Sequence, residues 1–139
     1  MRVGATPEIK NYESRVAIKT PGVYETTRRS HDAHVQSGGG SGLSDSTSEA
    51  VGVTISATPA APCEDTSLLL KIKDPVAAEC PRLRLDQALS TYLHLVTHRP
   101  QTEALNDSCT NSIAYEPVQG GDRNLPLAVL MNEVAGSLD

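Results

Sequence analysis

The alternation of apolar and polar positions divides the chain into short strands and short helices. Residues 2–5 (Arg-Val-Gly-Ala) are β-compatible and predict a first strand, followed by a polar loop over 6–14. Thr20-Pro21 reads as a helix start, because a threonine hydroxyl caps open N–H groups and proline tolerates the first helical position. That helix is expected to reach about Arg29, and residues 33–36 read as a second short strand. Residues 51–56 alternate as a strand does. Residues 67–73 (Ser-Leu-Leu-Leu-Lys-Ile-Lys) give the clearest strand signal, their continuous Leu run suiting a strand buried on both faces. Asp74-Pro75 ends it, and residues 76–80 predict a short helix broken by Pro81. Beyond lie a buried strand over 89–96, a helix over 99–105 closing near Asn106, and a strand over 112–118. A turn over 119–124 and the opening of a helix over 131–138 complete the pattern.

Strands alternating with helices at short intervals predict an α/β fold, Rossmann-like or flavodoxin-like, with a mainly parallel sheet and flanking helices. Neither an internal repeat nor a heptad pattern is present. Residues 37–48 are rich in Gly and Ser, and 38–42 (Gly-Gly-Gly-Ser-Gly) invite comparison with a phosphate loop. A dinucleotide fingerprint would need glycine at position 43, where Leu43 stands, and no Lys follows to complete a Walker A loop. The stretch reads as a flexible connection.

Length and charge narrow the function classes. The 139 residues suit one domain. The chain has no Phe and no Trp, so its core lacks the side chains that usually contribute most burial. A net charge of -5 with scattered basic residues argues against a nucleic-acid surface. No apolar run approaches a transmembrane span, and the N-terminus lacks the three-part layout of a signal peptide, so no membrane association and a cytoplasmic location are expected. Cys63, Cys80 and Cys109 are widely spaced, without a CxxC pair, and suit reduced thiols better than a disulfide framework or a zinc site.

Three polar residues fall at the ends of predicted strands or in adjoining loops, where open α/β sheets collect ligands. Arg15 offers a planar fork for a carboxylate. Lys73 follows the Leu run to the mouth of the sheet, and His94 lies inside an apolar strand, histidine being the residue type suited to proton transfer near neutral pH. Each also has a plainer reading: a surface charge, the solvated end of a strand, a hydrogen-bonded core histidine.

The order of several segments shifts that balance. Met1-Arg2-Val3-Gly4-Ala5-Thr6-Pro7-Glu8-Ile9-Lys10-Asn11, followed by Glu13-Ser14-Arg15-Val16-Ala17, resembles the opening of alanine dehydrogenases. Leu70-Lys71-Ile72-Lys73-Asp74-Pro75, Thr91-Tyr92-Leu93-His94-Leu95, Ser112-Ile113-Ala114-Tyr115-Glu116 and Met131-Asn132-Glu133-Val134-Ala135-Gly136 are similar to further segments of that family, in the same order. The resemblance spans the chain. It implies that Arg15 holds the substrate carboxylate and Lys73 binds and polarises the oxygens of pyruvate. It further implies that His94 transfers a proton or polarises the carbonyl, and that Met131 lines the pocket. The implied partner is a small molecule, pyruvate or L-alanine, and the implied cofactor of the full-length family is NAD.

The same resemblance implies a substrate-binding domain over 1–127, with 128–139 opening a helix toward an NAD-binding domain that this sequence lacks. Tight NAD binding is therefore not expected, and the chain is expected to be truncated, inactive alone, or completed by a separate NAD-binding chain. A homo-oligomer fits the family. The alternatives are a non-catalytic 2-oxo-acid-binding module or a degenerate assembly remnant. Departures from the family pattern fall on structural positions. Ser30 stands where a glycine closes the first helix, Thr26 and Thr27 replace apolar helix residues, and Asp86 stands at a usual turn glycine. Ala88 and Ser90 replace larger strand residues, Asn132 replaces a Ser, and Ser137 replaces an Arg.

Overall fold

A computed structural model describes residues 1–10, 13, 15–36, 52–56, 64–95 and 98–129. Among these residues six strands form one sheet in which every pairing is parallel. They are β1 (Arg2–Ala5), β2 (Asp32–Gln36), β3 (Val53–Ser56), β4 (Leu68–Lys73), β5 (Ala88–Tyr92) and β6 (Asn111–Ala114). Their order across the sheet is β3-β2-β1-β4-β5-β6. The chain starts in the middle, builds outward to one edge through β2 and β3, then returns to β4 and builds toward the other. The reversal between β1 and β4 opens a crevice at the carboxyl ends of those strands, where doubly wound sheets bind ligands. The predicted α/β class and mainly parallel sheet are what the chain forms.

Helix α1 (Thr20–Arg28) joins β1 to β2, and α2 (Arg99–Ser108) joins β5 to β6. Parallel neighbours need such crossovers, because a tight turn cannot return the chain to the same end of the sheet. Among the described residues the buried core holds no aromatic ring. Val23 of α1 packs with Ala33 and Val53 under β2 and β3. Leu69, Leu83, Leu89, Leu93 and Leu105 form a second cluster where α2 meets β4 and β5. Leucine and valine on alternate strand positions thus do what the missing Phe and Trp do elsewhere.

Several boundaries differ from the sequence reading, each for a local reason. Lys19, not Thr20, caps α1: its carbonyl accepts the first helical bond from Val23 N–H (2.9 Å), and Pro21 sits comfortably in the first turn. The predicted helix over 76–80 is a turn, followed by a 3-10 segment, Cys80–Arg82, that contains Pro81 rather than being broken by it. Strand β5 stops at Tyr92 instead of reaching residue 96, because the backbone at His94 turns left-handed, with φ 48°. Strand β6 stops at Ala114, short of Pro117, whose missing N–H cannot serve a ladder. Helix α2 runs past Asn106 to Ser108 and ends at Cys109 in a left-handed conformation.

Four of the family departures show their structural consequences. Ser30 does take the left-handed conformation expected of a helix-closing glycine, with φ 59°. Asp86 does not: its backbone keeps a negative φ and its carboxylate pairs with Arg84 at 3.0 Å. Thr26 and Thr27 spend their hydroxyls on helix carbonyls, those of Gly22 and Val23 among them. The Gly/Ser stretch over 37–48, Cys63, the predicted helix over 131–138 and Met131 lie outside the described residues.

Candidate functional site

The carboxyl ends of β4 and β5 are shaped by a break in their pairing. Leu70 pairs with Ser90, but Lys73 pairs with Tyr92, so three steps along β4 match two along β5. Such a bulge re-aims the side chains beyond it. Up to Lys71 the strand alternates, Leu69 and Lys71 being buried; past it, Ile72 and Lys73 both border one cavity. The bulge is held by its neighbours. Thr91 Oγ1 donates to the Lys73 carbonyl (2.8 Å), and the Tyr115 hydroxyl donates to that of Ile72 (2.9 Å).

The most unusual chemistry lies just beneath. Lys71 is buried, and its ammonium sits 3.0 Å from Glu8 Oε2 and 2.8 Å from Glu79 Oε1. Glu8, from the loop after β1, is buried too; its Oε1 accepts the backbone N–H groups of Ile72 (2.7 Å) and Lys73 (3.2 Å). A buried lysine is tolerated only when paired in this way. Glu8 therefore spans the β1–β4 crevice, tying its two sides together and fixing the backbone that carries Lys73.

The cavity, about 390 Å³, is bordered by Arg15, Ile72, Lys73, Tyr92, His94, Tyr115 and Leu127. All three described candidates from the sequence thus meet around one space. Arg15 enters from the loop between β1 and α1, and Lys73 is the last residue of β4. His94 lies just beyond β5, exposed rather than inside an apolar strand, so the core-histidine reading is excluded. Tyr92 packs against His94 with ring centroids 4.2 Å apart and meets Tyr115 edge-on at 5.9 Å. Two of the four tyrosines in the sequence therefore serve this site. Burial pushes the Tyr115 hydroxyl above its ordinary pKa, and the Glu116 carboxylate adds to the shift while Arg15 opposes it.

Arg15 does not stand alone. Its Nε donates to Glu13 Oε1 (2.7 Å) and its Nη2 to Glu13 Oε2 (2.5 Å), while its main-chain N–H also reaches Oε1 (3.1 Å). These hydrogen bonds, outweighing burial and joined by the charge of Lys73, hold the Glu13 carboxyl down to about 2. The guanidinium pKa is raised correspondingly by its bond to Glu13.

Residues 4–135 match the family model described as the alanine dehydrogenase/PNT N-terminal domain. This chain belongs to that family. It is 50% identical to an alanine dehydrogenase of Mycobacterium tuberculosis and 41% identical to one of Halomonas elongata, in each case over 99% of this chain and 38% of the relative. The chain thus spans well under half the length of these alanine dehydrogenases. A solved L-alanine dehydrogenase superposes with a TM-score of 0.94 at 32% identity, covering 99% of this chain and 38% of the other. A transhydrogenase from Sinorhizobium meliloti shares the fold, with a TM-score of 0.77 at 22% identity over 84% of this chain and 35% of its own.

Within this alanine dehydrogenase N-terminal domain, the sequence reading found the charged groups at the cavity but passed over Glu8, Lys71, Tyr92, Tyr115, Glu13 and Glu116. One signal was available: a lysine in the middle of a Leu-rich buried strand requires a counter-charge somewhere in the chain. Among the described residues no helix is long and apolar enough to cross a membrane, and no cluster of His, Cys, Asp or Glu could hold a metal ion. Cys80 is a buried free thiol and Cys109 an exposed one.

Proposed function

We propose that the cavity at the ends of β4 and β5 is the substrate-binding half of an NAD-dependent alanine dehydrogenase, built to hold pyruvate or L-alanine by its carboxylate. The supporting observation is the convergence of Arg15, Lys73 and His94 on one space of about 390 Å³, lined otherwise by Ile72, Leu127 and two tyrosine rings. Arg15 engages the carboxylate through its guanidinium. Lys73, held by Glu8 and Thr91 through its backbone, presents an ammonium to the oxygen or nitrogen on the reacting carbon. His94 moves the proton as that carbon alternates between amine and ketone. The tyrosine faces and Leu127 keep water from a small apolar methyl group. Met131 completes the lining in this reading.

The described residues do not suit the pyrophosphate of NAD. Dinucleotide sites place backbone N–H groups from a glycine-rich turn at the sheet's switch point. Here the turn after β1 is Thr6-Pro7-Glu8, and the Glu8 carboxylate already takes the N–H groups of Ile72 and Lys73. A phosphate group at that point would have to displace the Glu8 carboxylate from those N–H groups and from Lys71. Hydride transfer therefore calls for a dinucleotide site other than this turn, and residues 1–127 act in this reading as the substrate-binding domain. A homo-oligomer and a location in the cytoplasm accord with this reading.

Titration with pyruvate, followed by NMR, tests the assignment. Ring signals of Tyr92, Tyr115 and His94 are expected to shift together and saturate. Shifts confined to other regions, or none, contradict it.

A further inference from the structure

Arginine presents two carboxylate-binding edges, one formed by Nε and Nη2 and the other by the two Nη groups. Glu13 occupies the first edge of Arg15 with both of its oxygens. It also ties the Arg15 main chain to the same carboxylate. The Glu13 side chain is only 9% exposed, whereas that of Arg15 is 60% exposed. The carboxylate is thus tucked behind the guanidinium, whose second edge has no hydrogen-bond partner among the described residues, and Arg15 borders the cavity. The cations that border the cavity are Arg15 and Lys73, and Glu13 is the carboxylate bound directly to the first of them.

We infer that Glu13 is a specificity-determining residue: by filling one edge of Arg15 and cancelling one of the two positive charges, it selects ligands with a single carboxylate over those with two. The inference rests on the reading of this cavity as a carboxylate site. A monoanion meets the unfilled guanidinium edge and the Lys73 ammonium, and both are satisfied. A second carboxylate finds the other edge taken and a buried negative charge beside it. Like charges a few ångströms apart in a partly buried site differ in energy enough to change relative affinity about 5- to 10-fold. Glu13 remains ionised throughout the neutral range, because its pKa is held near 2 by Arg15, so the selection does not relax with ordinary changes in pH.

The test compares the affinities of this chain for pyruvate and for malonate, a small dianion, by calorimetry at fixed ionic strength. For Glu13→Gln the ratio of malonate Kd to pyruvate Kd is expected to fall about 5-fold or more. Glu13→Ala, uncharged but smaller, is expected to do the same, and Glu13→Asp, which keeps the charge, to leave the ratio near that of the parent. A Glu13 with a merely structural role would move both affinities together and leave the ratio unchanged in all three variants; that result overturns the inference while the carboxylate site stands. A parent chain that binds neither anion overturns both.

Discussion

Glu116 fastens His94 from 22 residues away: its Oε1 accepts the main-chain N–H of His94 at 3.3 Å and that of Leu93 at 3.1 Å. The bonds fall where the backbone enters a left-handed turn, with His94 at φ 48°. A non-glycine residue in that region is strained, and such strain persists only where surrounding structure imposes it. Leu93 is buried in the leucine cluster on one side, and the Glu116 carboxylate grips the backbone on the other. The exposed imidazole is thereby set at the cavity instead of continuing along β5.

Removing that grip should release the turn. Glu116→Ala is expected to destabilise the fold by about 1.5–3 kcal/mol, the usual worth of hydrogen bonds to a charged group. Glu116→Gln, which retains a carbonyl acceptor, should lose less. Urea denaturation of the two variants reads the difference, and equal losses would show that the acceptor at Oε1 is not what holds the turn.

Ser30 should respond in the opposite direction. Its N–H bonds the Thr27 carbonyl at 2.9 Å and the His31 N–H bonds that of Thr26 at 3.1 Å, the paired bonds of a Schellman helix ending. That ending places Ser30 at φ 59°, where a side chain is disfavoured. Ser30→Gly is expected to raise stability by about 1 kcal/mol. A thermal melt showing no gain, or a loss, would contradict the strain.

The contrast between these positions explains what the sequence alone could disclose. Strand β4 was legible because a Leu run leaves little choice, and the left-handed Ser30 was legible only through the resemblance, which puts a helix-closing glycine there. Arg15 and Lys73 were found because charge at a strand end or in a strand-side loop is itself a pattern. The end of β5 was not legible, since the turn at His94 is imposed by a carboxylate distant in the chain. The buried Lys71 escaped for the same reason: Glu8, its counter-charge, stands in a loop far back along the chain, after β1. Local pattern reports which face is apolar, not which distant acid closes a bulge.

Lys71 should be the most sensitive single position. Lys71→Met leaves Glu8 and Glu79 without their shared cation in a buried setting, and breaking such a pair costs about 3–5 kcal/mol. Urea denaturation of the variant should show a large drop or no folded baseline. A loss below about 1 kcal/mol would mean the pair carries little of the crevice's integrity.

Acid should weaken the fold through two carboxylates that prefer to stay ionised. Glu13 titrates near 2 in the folded chain against 4.5 for an ordinary glutamate, drawn down chiefly by Arg15. For Asp74, burial raises the pKa, but hydrogen bonds from Lys10 and Gln101 more than offset it, so the net shift is downward. A carboxyl whose folded pKa is depressed contributes stability that is complete above its unfolded value and disappears as pH falls through its folded one. Melting temperature should therefore be nearly flat from about pH 6 to 8 as far as these groups decide it. It should fall from about pH 4.5 toward pH 2, and Glu13→Gln should flatten part of that decline. An acid limb identical in parent and variant would remove Glu13 from this account.

The central claim is that Arg15 and Lys73 make this cavity a carboxylate site, and calorimetric titration with pyruvate tests it most directly. The parent chain should bind one equivalent saturably, and Arg15→Ala and Lys73→Ala should each weaken binding about 10- to 100-fold, as expected for losing a charge-assisted hydrogen bond. Circular dichroism spectra like the parent's would tie the loss to the site. No saturable binding by the parent, or undiminished binding by both variants, would contradict the claim.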